Sequence, residues 1–174
     1  MEHTIYLVNS LPRTGTTSLC EMAKICGLKS LHILKNISLA DALNDGYNFF
    51  ADTPFYSPEF LVGLLESIDT KKYSIKFIYS HRDFESYKKS LNKLLTRWSP
   101  SSKLSNRIYL LDHLCYNNLS DSFIENHYNY ILTISKLYNV DLLDYKFIDG
   151  WEKFCDFIDC KVPSIPIPKI DCLK

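Results

Sequence analysis

Residues 4–19, which read TIYLVNSLPRTGTTSL, constrain the fold of this chain more than any other stretch. An apolar run from Ile5 to Val8 stops at two polar residues, and a Pro-Arg-Thr-Gly turn follows. Hydroxyl residues then open a helical pattern that ends near Gly27. A buried strand, a tight loop and a helix N-terminus form an anion cradle, because backbone N–H groups and the helix dipole both face the loop. The pattern therefore predicts a strand–loop–helix unit that binds phosphate or its isostere, sulfate.

The rest of the chain continues the alternation of apolar strands and helical patterns. Strands are predicted at 5–9, 30–34, 74–80 and 142–148, an apolar segment at 48–51, and helices at 17–26, 38–43, 57–68, 84–97, 108–117, 123–138 and 151–158. Most connections are short, the polar loop at 98–106 being the exception, so the strands are expected to be parallel with helices on both faces. We therefore predict an α/β fold, one three-layer α/β/α domain over residues 1–174 with a central parallel sheet.

The loop differs from the nucleotide loop of ATP- and GTP-binding proteins at the positions that carry their chemistry. That loop reads G-x-x-x-x-G-K-[ST], with Lys on the terminal phosphates and Ser or Thr on magnesium. Here Ser10 stands at the first glycine position and Thr16 at the lysine position. The cation is instead Arg13, which precedes the glycine of the turn.

This arrangement resembles the P-loop of the sulfotransferases, which use 3′-phosphoadenosine 5′-phosphosulfate (PAPS). Their loop commonly reads P-[KR]-[ST]-G-[ST]-[ST], and P-R-T-G-T-T at residues 12–17 matches it at every position. The alternative interpretation is an ordinary Gly/Thr turn that caps a helix.

A second pair of residues strengthens the resemblance. Sulfotransferases hold the 3′-phosphate of PAPS with an Arg after a strand and a Ser eight residues later, and Arg82 and Ser90 have this spacing after the strand K-F-I-Y-S. A dianionic phosphate suits a bidentate guanidinium with a neutral donor beside it. The alternative is that Arg82 pairs with Asp83 or Glu85 at a solvated helix end.

The end of the chain is similar to that of one branch of the sulfotransferase-like proteins. In that branch a strand is followed by G-W-x-x-L-C-x-F-L and then by V-P-x-x-x-x-P. The matching residues are Gly150, Trp151, Phe154, Cys155, Phe157, Pro163, Pro166 and Pro168. Two positions depart from the family: Thr53, where Trp is frequent, and Asp171, where Asn is usual. Core packing is the alternative role for Trp151 and its helix.

The resemblance implies in-line transfer of a sulfuryl group from PAPS to a hydroxyl or amine of a small-molecule acceptor, with no metal. Arg13 is expected on the bridging and sulfuryl oxygens. The 5′-phosphate is expected among the backbone N–H groups of residues 15–17 and the hydroxyls of Thr16, Thr17 and Ser18. The full set of expected cofactor-binding residues is Pro12, Arg13, Thr14, Gly15, Thr16, Thr17, Ser18, Arg82 and Ser90.

Three residues are candidates for the base that accepts the proton of the acceptor. Asp52, which precedes a Thr-Pro turn, is our first choice, and capping of that turn is its alternative role. His32 is the second candidate, although its pattern also fits an ordinary strand residue. His81 is the third, and it adjoins Arg82, whose loop it could orient.

Composition limits the kinds of partner and the cellular compartment that we expect for this chain. Twenty basic and twenty acidic residues cancel, so nothing global favours nucleic acid or an anionic membrane surface. No apolar run approaches the ~20 residues of a membrane span, and no secretory signal is evident at the N-terminus. None of the six cysteines forms a C-x-x-C pair, and we expect a reduced, cytoplasmic protein with core thiols.

Two other functions share this strand–loop–helix logic. One is a nucleotide kinase or NTPase with an altered loop, which lacks here the expected Lys and a magnesium carboxylate. The other is a non-catalytic nucleotide-binding protein on the same scaffold. The sequence leaves both open.

Overall fold

The computed structural model of the chain describes residues 3–34, 36–97 and 120–170. Its strands are β1 His3–Val8, β2 Ser30–Leu31, β3 Phe49–Ala51, β4 Tyr73–Ser80 and β5 Asp141–Tyr145. Its helices are α1 Thr16–Ile25, α2 Leu39–Asn44, α3 Pro58–Ser67, α4 Phe84–Arg97, α5 Asp121–Leu137 and α6 Gly150–Ile158, with a 3₁₀ turn at Phe147–Asp149.

The five strands form one parallel sheet in the order β2-β3-β1-β4-β5. Strand β1 lies at the centre, where Leu7 is in register with Phe50 on one side and with Phe77 on the other. Parallel strands of this kind are covered on both faces, which keeps their backbone and their apolar side chains out of water.

Side chains along each strand alternate between two separate cores. On β1, Tyr6 and Val8 join the core under α1 and α6, whereas Ile5 and Leu7 join the core under α2, α3 and α5. This alternation is the period of two that a strand imposes on its side chains. The molecule therefore has three layers, α/β/α, and the predicted fold class is confirmed.

The predicted helix starts at Ser38 and Ser57 are also confirmed. The Ser38 and Ser57 hydroxyls accept hydrogen bonds from the N–H groups of Asp41 and Phe60, and Pro58 occupies the first turn of α3. A serine at this position satisfies a donor that the helix itself cannot pair.

Some predicted element bounds are wrong. The second strand ends at Leu31 and not at residue 34, and the fifth ends at Tyr145 and not at residue 148. The chain turns after β5 because the N–H of Lys146 donates to Asp149 Oδ2 (2.8 Å), which closes the 3₁₀ turn. The predicted loop at 98–106 and helix at 108–117 lie outside the described residues. A helix must be long and apolar to cross a bilayer, and no helix in the described ranges meets both conditions.

Candidate functional site

Hydroxyl side chains hold the loop between β1 and α1 in place through hydrogen bonds. Thr14 Oγ1 donates to the carbonyl of Leu11 (2.8 Å), and Ser80 Oγ, at the end of β4, donates to the carbonyl of Thr14 (3.0 Å). Thr14 and Ser80 are buried, so these bonds form away from water. The Ser80 hydroxyl thus fixes the loop to the neighbouring strand, and Pro12 in the same loop is buried as well.

Gly15 meets two requirements that other residues would not. Its φ of 101° lies in the left-handed region, and a Cβ built on it would stand 2.4 Å from Cε2 of Phe147. Gly15 is also the N-cap of α1, makes no side-chain capping bond, and is followed by a first turn without acidic residues. The start of α1 therefore presents backbone donors and the positive end of its dipole.

The structure brings Arg13, Arg82 and Ser90 together. One guanidinium nitrogen of Arg82, Nη1, donates to the backbone carbonyl of Arg13 (2.7 Å), and Arg13 Nε donates to Ser90 Oγ (3.1 Å). Arg82 follows β4 and Ser90 lies on α4, so two neighbouring strand ends supply the cluster. Partial burial and the adjacent Arg13 charge lower the pKa of Arg82, which nevertheless remains cationic.

These residues line one cavity of about 640 Å³ at the carboxyl end of the sheet. Five of the lining side chains are cationic, and none of the described lining residues is acidic; the cations are Arg13, Arg82, Lys89, Lys93 and Lys169. Such a surplus in a chain with no net charge creates a local field that attracts anions.

The tail forms one wall of this cavity. Residues 167–170 line it, and the backbone N–H of Ile170 donates to Ser18 Oγ (3.1 Å). Ser18, which was expected to contact a phosphate, is buried and also joins the tail to α1. The ring of Phe147 also lines the cavity, and it lies next to Gly15.

Thr16 and Thr17 point to a second cluster. Both hydroxyls lie 2.9 Å from His32 Nε2, and Thr16 Oγ1 also lies 3.4 Å from Asp52 Oδ2. His32 Nε2 is 3.5 Å from the same Asp52 oxygen. None of these four side chains is among the residues that line the cavity, and the phosphate contacts expected from the two hydroxyls stay a prediction.

Burial is the main cause of the pKa shifts in the second cluster. It raises the pKa of Asp52, while the charge of His32 and the hydrogen bonds from Thr53 and Thr16 lower it. Burial lowers the pKa of His32, and the nearby charge of Arg13 lowers it further. Arg13 therefore belongs to the cavity and is also felt electrostatically by the second cluster.

His81 stands apart from this pair. It lines the cavity, and its Nε2 lies 2.7 Å from Asp144 Oδ1. Burial lowers its pKa. This contact joins the turn that carries Arg82 to β5, and the orienting role of His81 stays a prediction.

Several residues of the cavity were not predicted from the sequence. Ser86, Lys89 and Lys93 follow Arg82 at steps of four, three and four residues, which is the spacing of a single helix face, and that face of α4, which also carries Ser90, lines the cavity. This spacing, counted from Arg82, was the available signal for the two lysines. Phe147 and Lys169 carried no comparable signal, since only the folded chain brings them to the loop.

Comparison with known proteins assigns the chain to a family. A family model described as a sulfotransferase domain matches residues 6–172, which is nearly the whole chain. The chain therefore belongs to the sulfotransferase family. No sequence among the curated proteins compared matches the chain.

Proposed function

We propose that this sulfotransferase takes its sulfuryl group from PAPS and transfers it to a hydroxyl or amine of a small-molecule acceptor. One observation carries the proposal: Arg13 and Arg82, from different strand ends, line a single cationic cavity together with the start of α1. PAPS bears a phosphosulfate at one end of its adenosine and a second phosphate at the other. A ligand with two separate anionic groups suits two guanidinium groups in one cavity.

The residues of the cavity fit this ligand in charge and in shape. Five cations line it without an opposing carboxylate among the described lining residues, and Gly15 leaves its backbone accessible where a side chain would meet Phe147. In the proposed arrangement Arg82 and Ser90 hold the 3′-phosphate, while Arg13 and the N–H groups at residues 15–17 hold the phosphosulfate. Lys89, Lys93 and Lys169 add positive potential around both.

PAPS supplies the activated sulfuryl group, and the protein supplies position and charge. A loose transition state places charge on the bridging and peripheral oxygens, which a fixed cation stabilises. Arg13 is the proposed cation because it lines the cavity and is held by its bond to Ser90. The hydrogen bond from Arg82 to the Arg13 carbonyl fixes the same turn from the other side.

Asp52 is the proposed base, and His32 with Thr16 positions it. Thr53 donates its backbone N–H to Asp52 Oδ1 (2.9 Å), so the other carboxylate oxygen is the one that faces Thr16 and His32. The Asp52 and His32 side chains keep 14% and 30% of their surface exposed, which leaves an approach for an acceptor. In this proposal the acceptor enters on the side of Arg13 that faces Asp52 and His32, and PAPS lies on the cavity side. In-line transfer requires the acceptor and the donor to lie on opposite sides of the sulfuryl group.

A transfer assay with PAPS labelled in its sulfuryl group tests the proposal. The purified chain is incubated with labelled PAPS and a panel of alcohols and amines, with and without a magnesium chelator. The proposal predicts labelled product for at least one acceptor, the 3′,5′-bisphosphate (PAP) as co-product, and no effect of the chelator. Phosphoryl transfer from ATP that needs magnesium would instead establish a kinase, and PAP binding without turnover on any acceptor would favour a non-catalytic protein.

A further inference from the structure

Three cysteines that are distant in sequence meet at the end of α1 opposite the cavity. The sulfur atoms of Cys26, Cys155 and Cys160 all lie within 4.8 Å of one another, and those of Cys26 and Cys155 are 4.0 Å apart. Cys26 ends α1, Cys155 lies within α6, and Cys160 follows that helix. About eleven residues of helical rise, roughly 16 Å, separate Cys26 from Gly15, so this cluster is distinct from the cavity.

The spacing of the sulfurs is close to that of a metal-bound set. A metal–sulfur bond of about 2.3 Å places three sulfurs about 3.8–4.0 Å apart, whether the ion is trigonal or tetrahedral. Cys26 and Cys155 already have that separation, and Cys160 needs a small side-chain rotation to reach it. Cys155 is buried, whereas Cys26 and Cys160 are half-buried, which leaves a path for an ion to enter.

The backbone around the cluster disfavours thiolates that have no ion beside them. Cys26 is the C-cap residue of α1, and Cys160 follows Asp159, the C-cap residue of α6. The negative ends of two helix dipoles therefore lie near the cluster. Thiolates should form here only together with an ion that offsets their charge.

We propose that Cys26, Cys155 and Cys160 form a binding site for a single soft d¹⁰ metal ion, held by three thiolates. Soft sulfur ligands select Cu⁺ and Zn²⁺ over harder ions, and each thiol releases its proton to solvent when the ion binds. Among the described residues no imidazole or carboxylate completes the set. Cu⁺ would be trigonal, and Zn²⁺ would take water as its fourth ligand. The ion would fasten the end of α1 to the end of α6.

Metal loading of the purified chain tests this site. Zn²⁺, and separately Cu⁺ under reducing and anaerobic conditions, is added to the chain, free ion is removed, and bound metal is measured per chain. Cys115 and Cys172, which lie outside the described residues, are replaced by serine in every sample so that they supply no ligand. The test variants are Cys26→Ser and Cys160→Ser, chosen because these two positions are half-buried. Cys20→Ser is the matched control, because Cys20 is buried on α1 but outside the cluster.

We expect one ion per chain in the parent and in Cys20→Ser, and at least a tenfold loss of affinity in Cys26→Ser and Cys160→Ser. X-ray absorption of the loaded parent should show three sulfur neighbours at about 2.3 Å, with one added oxygen for Zn²⁺. Thermal unfolding should shift to higher temperature on metal loading in the parent and in the Cys20→Ser control, but not in the two test variants.

Unchanged metal affinity in the two test variants would overturn the site, as would fewer than three sulfur neighbours around the bound ion. A Cys26–Cys155 disulfide in reductant-treated protein, seen by mass spectrometry, would also overturn it.

Discussion

Arg13 occupies an unusual backbone conformation for an arginine. Its φ is 75°, and the other non-glycine residues with positive φ in the described ranges are all Asn or Asp: Asn36, Asp52, Asn139 and Asp159. Asn and Asp visit this region at low cost, whereas a long side chain does not. Strain of this kind persists where the surroundings impose it, and here the bonds to Ser90 and from Arg82 do so.

A pair of substitutions at Arg13 separates the role of the side chain from the strain of the backbone. Arg13→Ala and Arg13→Gly should both abolish sulfuryl transfer, because both lack the guanidinium. The glycine variant should be the more stable by up to about 1 kcal/mol, since relief of about 1–2 kcal/mol of left-handed strain exceeds the entropy that glycine adds to the unfolded chain. Urea unfolding of both variants measures this difference. An alanine variant that is the more stable, or turnover by either, would contradict the assignment.

Asp52 gives the proposed reaction its dependence on pH. The carboxylate accepts a proton only when ionised, and burial raises its pKa above the usual 3.8. Transfer should therefore be full at neutral pH and should fall as the pH drops through that raised value, at higher pH than for an exposed aspartate. Because Asp52 and His32 are in contact, the acid limb reports the pair and not one residue.

The pH profile is measured as kcat/KM on the parent chain and on Asp52→Asn. The asparagine variant should lose at least about 100-fold in kcat, as expected for removal of a general base, while its affinity for PAP stays within about twofold. His81→Asn is the control, and its acid limb should match that of the parent. An Asp52→Asn enzyme with the parental rate and the parental acid limb would remove Asp52 from the mechanism.

At the scale of elements, the junction of β1 with α1 is the feature on which the cavity depends. Gly15→Ala should disrupt it, because the new Cβ would overlap the Phe147 ring in addition to adopting a φ of 101°. Gly27→Ala is the matched control, since Gly27 has a φ of 84° with nothing within 4 Å of the added Cβ. Both variants carry the conformational cost of about 1 kcal/mol, and Gly15→Ala should lose at least about 1 kcal/mol more.

Thermal and urea unfolding of the two glycine variants give the comparison. In a Phe147→Ala background, Gly15→Ala should cost only about as much as Gly27→Ala does, because the ring is then absent while the strained φ remains. Equal losses in Gly15→Ala and Gly27→Ala would show that the ring does not confine the loop. A Gly15→Ala loss that is the same with and without the Phe147 ring would point to backbone strain alone.

The sequence predicts the helices and strands better than it predicts which of their side chains come into contact in the folded chain. The strand–loop–helix at the N-terminus and the Arg82–Ser90 spacing are local patterns, so the residues that they contain could be predicted. Which face of α4 lines the cavity depends on how that helix packs, and Lys89 and Lys93 were therefore missed. The same limit applies to the three cysteines, because Cys26 is more than 120 residues from Cys155 and Cys160 along the chain and only folding brings the three sulfurs together.

On the scale of the whole molecule, a chain without net charge places five of its twenty basic side chains around one cavity. Five basic side chains from the β1–α1 loop, the turn after β4, α4 and the tail line one cavity, and its described lining includes no acidic residue. Their combined field makes affinity for anions sensitive to salt, because ions screen charges within about 8–10 Å at physiological strength. The proposed ligand, a bisphosphorylated adenosine, carries the negative charge that this field would attract.

Calorimetric titration of the chain with PAP, and in parallel with ATP with and without magnesium, tests the central claim most directly. PAP should bind at least tenfold more tightly than ATP under either condition. Arg82→Ala should weaken PAP by roughly 10- to 100-fold, since a hydrogen bond to a charged group contributes about 1.5–3 kcal/mol. Lys136→Ala, on the last turn of α5 and outside the cavity lining, should leave that affinity unchanged. Tighter binding of magnesium-ATP than of PAP, or an Arg82→Ala variant with parental affinity, would contradict the account.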